Sequence, residues 1–266
     1  MKLTAIIPVR NEEVFLANCL RSVSFADEVL VLDSGSTDST VSIAKEFGAR
    51  VVEYSWQGFR YAHNYGAQLA KNEWLLYVDA DERVSKPLRQ KILKILEAPE
   101  SNAYQINRRN FIMGKSVSYG GWYPDRVTRL IKKNGLVDWV GELHEYPKIK
   151  GEIGKIDADL YHLTHRGIDW SLEKTRAYTK ITAEILKKDG HPQVKVKNFF
   201  GSMVREFWFR AVKKHGWKDG FIGWVEILYQ TFNAFLIQVQ LWELQQKKTM
   251  EQKYKVIDEK ISSEIK

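Results

Sequence analysis

Two aspartates with one residue between them, Asp79 and Asp81, follow the apolar run Trp74-Leu75-Leu76-Tyr77-Val78, and Glu82 comes next. Carboxylates at this spacing offer hard oxygen ligands. Mg²⁺ or Mn²⁺ is commonly held by one or two such groups together with the phosphates of a substrate. The run is short, apolar and stopped abruptly by charge, so it reads as a buried strand. Acidic side chains then emerge at its carboxyl end, where an open α/β sheet binds its ligands. Alternation along an extended chain would send Asp79 and Asp81 to the same side. The chemistry implied is a site for a metal-bound diphosphate. A solvated acidic loop leading into a helix, with Ser85 and Pro87 as start signals, accounts for the same tripeptide.

The elements that must position these acids begin almost at the first residue. Leu3 to Val9 reads as a strand, Arg10-Asn11-Glu12-Glu13 follows, and a helical pattern (Val14, Leu16, Leu20, Val23) comes after it. A second strand, Glu28 to Leu32, ends on Asp33. Ser34-Gly35-Ser36-Thr37-Asp38-Ser39-Thr40 then opens another helix (Val41, Ile43, Ala44, Phe47), and Arg50 to Tyr54 reads as a third strand. Strands and helices alternate at βαβ spacing, which implies an α/β fold with a mostly parallel sheet. Asp33, Asp79 and Asp81 all fall at its carboxyl edge.

Pro8-Val9-Arg10-Asn11-Glu12, Asp33 to Thr40 and Asp79-Ala80-Asp81-Glu82, in this order and spacing, resemble family 2 glycosyltransferases with the GT-A fold. Trp56-Gln57-Gly58-Phe59, Arg108-Arg109-Asn110-Phe111, Gly114, Gly120 to Arg126, Arg129-Leu130 and Leu143-His144-Glu145 resemble the branch that includes bacterial lipopolysaccharide core glucosyltransferases acting on heptose. The resemblance runs from Leu3 to about Trp242. It implies a Rossmann-like GT-A domain, with residues 1–103 as its nucleotide-sugar half and 104–168 as its acceptor half; residues 169–266 read as a helical extension, expected from its charge and apolar pattern to associate with a membrane. It also implies an inverting transfer of a hexose, glucose from UDP-glucose being favoured, to a lipopolysaccharide-core or other lipid-linked glycan.

Residue roles follow from the same resemblance. Asp33 would accept the uracil N–H, Glu12 would lie near the ribose and base, and the backbone around Pro8 and Arg10 would line the pocket. Asp81, with Ala80 and with Asp79 or a water on it, would serve the divalent cation, Mg²⁺ or Mn²⁺, and the donor ribose. His162 would complete the metal site, His165 being the lesser candidate. Asn64, with His63 and Arg60 nearby, stands where similar enzymes place a basic residue and an asparagine toward the diphosphate. Glu145 would be the base that takes the acceptor proton, with Glu142 as the alternative and His144 orienting it. Arg126 and Arg129 are suited to phosphates, since guanidinium binds them in a bidentate manner. Each residue also has a plainer role: Asp33 and Asp38 as helix caps, Glu12 paired with Arg10, the arginines paired with local acids, and the glutamates in surface ion pairs.

At 266 residues the chain can bury a full α/β core with an appended element. Its single cysteine, Cys19, lies on the apolar side of the first helix pattern, so it has no internal disulfide and fits a reducing compartment. Met1-Lys2-Leu3 leads straight into a strand too short and too soon interrupted to be a signal peptide, and a cytoplasmic location is expected. The net charge of +8 does not come with a nucleic-acid module. An anionic membrane surface is the better partner.

Basic clusters flank Phe221 to Trp242, the most apolar long stretch. On a helix Glu226, Gln230, Asn233 and Gln240 form one narrow stripe, with Phe221, Trp224, Val225, Leu228, Phe232, Phe235, Leu236 and Val239 on the other side. That pattern is too polar to span a bilayer, and it suits an interfacial helix or one packed on protein. The tail from Lys247 is expected to fray. Two other classes stay open: a nucleotidyltransferase on a similar scaffold, and a non-catalytic membrane or carbohydrate-binding protein.

Overall fold

A computed structural model describes residues 1–141 and 145–265. The chain divides into two compact units, Met1–Arg166 and Gly167–Lys266.

The first unit is built on the expected βαβ start. Strand β1 (Leu3–Val9) is buried along its whole length and is followed by α1 (Glu13–Ser22), β2 (Glu28–Asp33), α2 (Thr40–Glu46) and β3 (Arg50–Glu53). Helix α3 (Phe59–Leu69), β4 (Trp74–Tyr77), β5 (Glu82–Val84) and α4 (Lys86–Glu97) come next. Ser85 caps α4, its hydroxyl accepting the Leu88 N–H at 3.3 Å, with Pro87 in the first turn. The acidic tripeptide is therefore both a strand end and the lead into a helix.

The remaining strands are β6 (Ala103–Ile112), β7 (Lys115–Ser116), β8 (Asp125–Lys132), β9 (Leu136–Val140), β10 (Tyr146–Ile149) and β11 (Ile153–Thr164).

Nine strands form one mixed sheet in the order β3-β2-β1-β4-β8-β6-β11-β5, with β7 paired to β6. From β3 to β4 all pairings are parallel. Beyond β4 the sheet is less parallel than the βαβ spacing suggests. Strand β8 runs against both β4 and β6, β11 is parallel to β6, and β5 is antiparallel to β11. Only residues 78–81 separate β4 from β5, in a tight turn whose Glu82 N–H reaches the Asp79 carbonyl at 2.8 Å. Four strand spacings in a flat sheet would put β5 about 19 Å from β4. The strands between must therefore curl, and the acidic turn lies at the seam.

Alternation divides the core into two layers. Leu3, Ala5, Ile7 and Val9 pack with Leu16, Cys19 and Leu20 of α1 and with Leu88, Ile92 and Leu96 of α4. Ile6, Leu30, Leu32, Leu75 and Tyr77 face the other way, with Ala67, Ala70 and Trp139. Gly66 sets the approach of α3 to the sheet. A Cβ there would lie 2.6 Å from Cγ2 of Ile6 and 3.0 Å from Cδ1 of Leu32. Cys19 is fully buried, and burial pushes its thiol well above the usual range, so it is an inert core residue.

The second unit contains α5 (Ile168–Lys188), α6 (Val196–Phe207) continued by a wide turn over Trp208–Lys213, α7 (Phe221–Leu244) and α8 (Met250–Ile265). Helices α5 and α7 are joined through polar groups. The Thr175 hydroxyl meets both the Tyr229 hydroxyl and Asn233 Oδ1, and Tyr229 donates to the Ser171 carbonyl at 2.6 Å. Ring contact between Phe199 and Phe235 and a hydrogen bond from Ser202 to the Ala234 carbonyl join α6 to α7. The tail expected to fray is helical in α8, with no buried residue. Among the described residues no helix is long and apolar enough to cross a membrane.

Candidate active site

The seam collects charge from five strands or their ends. Glu82 opens β5, opposite His162 of β11, which in turn lies opposite Asn110 of β6. Cross-strand neighbours point to the same face, so these three side chains form one row inside the curl. Arg108, two residues before Asn110, belongs to the same face, and its guanidinium lies 3.8 Å from Glu82. Arg129 of β8 completes the floor.

Arg129 donates to Asp79 and lies 3.2 Å from Glu82. Burial opposes ionisation of Asp79, but Arg129 together with His63, His162 and Arg108 outweighs it and holds the carboxyl well below the usual range. Glu82 is completely buried. Desolvation lifts its carboxyl above the usual range, Arg129 opposing and the Asp79 charge adding. The Asp79 backbone N–H also donates to Glu82, at 2.9 Å. Asp79 and Glu82 thus share one arginine, and Arg129 takes the plainer of its two expected roles, pairing with local acids. Arg126 pairs only loosely, 3.8 Å from Asp157.

Asp81 belongs to a different cluster. Strand β4 ends at Tyr77 and residues 79–82 turn, so the two aspartates meet different arginines. Asp81 lies 3.1 Å from the Arg166 guanidinium, which is also 3.1 Å from Glu12, and its Oδ2 is 3.8 Å from His162 Nε2. Asn110 Oδ1 is 2.6 Å from His162 Nδ1, while the Asn110 amide nitrogen donates to the Trp122 carbonyl at 2.9 Å and to Asp125 at 3.2 Å. Two acceptors on the nitrogen fix the amide orientation. Nδ1 of His162 therefore carries the proton, and the lone pair of Nε2 is on the Asp81 side. Burial lowers this imidazole to about 4 despite the Asp81 charge, so it is neutral at physiological pH.

This donor set fits a divalent cation. Two ligands each about 2.1 Å from an ion lie at most about 4.2 Å apart, and a metal-binding histidine usually has its other nitrogen held as Asn110 holds it here. No cluster of three or more acidic, histidine or cysteine ligands exists among the described residues. The remaining positions would fall to solvent and substrate oxygens, the usual arrangement for Mg²⁺ beside phosphates. His165 does not join this pair; its ring stands against Trp122 at 5.1 Å.

The loop after β1 is laced to the loop after β2. Asn11 accepts from Thr37 N at 2.8 Å, Glu12 N donates to Thr40 at 2.8 Å, and Glu13 accepts from Ser39 N at 3.0 Å. Pro8 is buried opposite Leu32, whereas Arg10 is exposed beyond the strand. Asp33 is 2 % exposed, and its carboxylate accepts from Gly35 N and Ser36 N, each at 3.1 Å. It closes its own turn rather than capping the helix at Thr40. Ala80 is buried, with its carbonyl accepting from Arg83 at 2.8 Å.

Asn64 stands apart from the acids. Its amide donates to Asp138 at 2.6 Å and accepts from Trp139 N at 2.9 Å, so α3 uses it to hold β9. Arg60 does the same, 2.9 Å from Asp138. His63 is nearer the acids electrostatically. It is buried against Tyr77 and Trp139, with both ring nitrogens unpartnered, and burial with the nearby Arg129 lowers it to about 4.

Glu145 immediately precedes β10 and is half-buried. Glu142 and His144 lie outside the described residues. Residues that sequence reasoning did not single out are Glu82, Asn110 and Arg166. Glu82 and Asn110 lay inside quoted motifs without a role. Arg166 follows the two histidines but carried no signal, because its partners Asp81 and Glu12 are 85 and 154 residues away.

Residues 4–144 match the family described as Glycosyl transferase family 2. The lipopolysaccharide core biosynthesis glycosyltransferase LpsC of Rhizobium meliloti (strain 1021) is 25% identical over 252 residues, covering 91% of this chain and 93% of that protein. An uncharacterized glycosyltransferase of Rickettsia felis is 29% identical over 260 residues, covering 91% of this chain and 90% of its own. Among solved structures, S. aureus TarS 1–349 in complex with UDP-GlcNAc superposes with a TM-score of 0.51 at 17% identity, covering 88% of this chain and 82% of that one. A mycobacterial protein gives 0.50 at 17% identity, covering 72% and 76%. At such identities the likeness of the solved structures is one of fold. The motifs at the carboxyl ends of β1, β2 and β4 thus sit in a GT-A architecture, and the chain belongs to glycosyltransferase family 2.

Proposed function

We propose that the protein transfers a hexose, with glucose from UDP-glucose as the favoured donor, to a lipopolysaccharide-core or other lipid-linked glycan, with inversion. The observation that carries this reading is the pair Asp81 and His162, 3.8 Å apart, with Asn110 fixing the imidazole. A divalent cation held there would offset the charge of the departing diphosphate. Asp33, Glu12 and the backbone at Pro8 and Arg10 bind the nucleotide, while Asp79 and Ala80 shape the turn that presents Asp81. Asn64 supports this pocket through β9 rather than by touching the donor. Arg166, between Glu12 and Asp81, keeps the two carboxylates from repelling each other.

Glu145 acts as the base. The acceptor hydroxyl oxygen bonds to C1 of the sugar as the bond from C1 to the diphosphate oxygen breaks, and the carboxylate takes the hydroxyl proton. The product nucleoside diphosphate leaves without a covalent enzyme intermediate. The likeness of most of the chain to LpsC supports a core-glycan acceptor, and the UDP-GlcNAc bound by TarS adds N-acetylhexosamine donors to those worth testing. The reading has the transfer occur in the cytoplasm, at the inner face of the membrane, where a lipid-linked acceptor would be met.

The test is binding and slow hydrolysis across a panel of nucleotide sugars, with and without Mn²⁺ or Mg²⁺. Parent protein is compared with Asp81→Ala and Glu145→Gln. One donor selected with metal, lost in Asp81→Ala and bound but not turned over in Glu145→Gln, is the expected result. Release of pyrophosphate instead of a nucleoside diphosphate would identify a nucleotidyltransferase. No donor bound under any condition would leave a non-catalytic protein.

A further inference from the structure

Helix α7 buries polar residues beside Ile227 and Leu241 and leaves large apolar ones outside. Its buried positions include Glu226, Thr231 and Gln238, at 3 %, 8 % and 8 % exposure. Phe221, Trp224, Leu228 and Phe232, spaced by three or four residues, are 80 %, 46 %, 59 % and 44 % exposed. Of the polar stripe read from the sequence, Glu226 is buried and Gln230, Asn233 and Gln240 are half-buried; of the apolar side, Phe221, Trp224, Leu228 and Phe232 are exposed and Val225, Phe235, Leu236 and Val239 are half-buried. The polar groups of the helix face α5, whose buried positions are Ser171, Thr175, Thr179 and Ala183 and whose Thr175 hydroxyl bonds to Tyr229 and Asn233 of α7.

Helix α6 repeats the pattern. Val196, Phe200, Val204 and Trp208 recur every four residues and are at least half exposed, while Ser202 is buried. Val212 and Trp217 extend the exposed apolar surface through the connection. A soluble chain rarely leaves so large an apolar surface without a partner.

The charges identify that partner. From Lys195 to Leu241 the exposed charged residues are Lys195, Lys197, Arg205, Lys213, Lys214 and Lys218, all basic. The acids of the stretch are withdrawn: Asp219 and Glu226 are buried, and Glu206 is paired with Arg210 at 2.6 Å. A second copy docking through the same patch would oppose like charges across a two-fold axis. Exposed Trp and Phe beside an unbalanced set of Lys and Arg instead match the boundary between headgroups and acyl chains of an anionic bilayer.

We propose that the exposed faces of α6, its connection and the first half of α7 are a seat for an anionic lipid bilayer. The helices lie in the interface, with Phe200, Trp208, Phe221, Trp224 and Leu228 among the acyl chains and the lysines at the headgroups. The seat deepens the lipid-linked-acceptor reading above, but its binding requires neither donor nor acceptor.

The experiment is flotation of the full chain with vesicles of phosphatidylethanolamine and phosphatidylglycerol, or of phosphatidylcholine alone, none containing glycan. Parent protein and Asp81→Ala should float alike with the anionic vesicles and poorly with the neutral ones. The double variant Trp224→Ser, Leu228→Ser should lose tenfold or more of the binding. Each neutralised lysine among Lys213, Lys214 and Lys218 should cost roughly fivefold. The substituted positions are exposed, and circular dichroism checks that the variants remain folded. Absence of parent binding, or binding unchanged by these substitutions, overturns the proposal. So does a doubled solution mass by light scattering that falls to the monomer in the double variant, which would make the face a dimer contact. A failed donor assay with intact flotation would sink the transferase reading and leave the seat standing.

Discussion

Asp81 shares the Arg166 cation with Glu12 and lies beside the neutral imidazole of His162, and its role depends on all three. Asn110 decides which His162 nitrogen is available. Replacing Asn110 with Ala should weaken Mn²⁺ binding in the presence of UDP by about 10- to 100-fold, the usual cost of losing such an orienting contact. Calorimetry measures this directly, and an unchanged affinity would remove Asn110 from the site. Arg129 answers to stability instead. Removing it as Arg129→Met leaves Asp79 and the fully buried Glu82 with no shared cation, at a cost of about 3–5 kcal/mol. A lower urea midpoint at constant m value is the expected result; an unchanged midpoint would show that the two acids find other partners.

Two element-scale contacts set how the helices and strands of the first unit approach one another. Gly66 lets α3 lie close to β1 and β2. Ile6 is β-branched and its Cγ2 has no room to swing, so Gly66→Ala should destabilise by about 1–3 kcal/mol despite the better helix propensity of alanine. Thermal unfolding tests it, and a stabilised variant would mean that α3 can shift freely. Glu28 ties three strands and the end of α3 together, accepting from Thr4 at 2.7 Å, Arg50 at 2.9 Å and Lys71 N at 2.8 Å. Burial raises its carboxyl, but these three donors together outweigh it and hold the group below the usual range. A lowered folded value means that the carboxylate stabilises the fold above the unfolded value, about 4.3, and that this is lost as pH falls through the folded one. Glu28→Gln should therefore cost about 1–3 kcal/mol at pH 7. The gap between parent and variant should close under acid, and a gap independent of pH would mean that charge is not what Glu28 contributes.

At the scale of the whole molecule, stability resides unevenly. No residue of α8 is buried, so ending the chain at Lys248 should leave the unfolding free energy of the rest within about 0.5 kcal/mol; a larger loss would reveal a docking role for this helix. The sequence by itself determined the βαβ order, the strand ends that carry Asp33 and Asp79, the core position of Cys19 and the two-sided character of α7. Those features follow from side-chain periods of 2 and 3.6 and from local turn chemistry, which need only neighbours in the chain. Only the tertiary structure decided the rest. Strands β8, β6 and β11 insert between β4 and β5, which the sequence places side by side, and their pairing sets the curl that brings His162 to Asp81. Arg129 meets an acid 47 residues away and Arg166 one 85 residues away. For α7, periodicity fixed which residues share a face, but contacts such as those of the Thr175 hydroxyl with Tyr229 and Asn233 decided which residues turned inward. A helical period carries no information about the partner it will meet, and α5 here offers Ser171, Thr175 and Thr179.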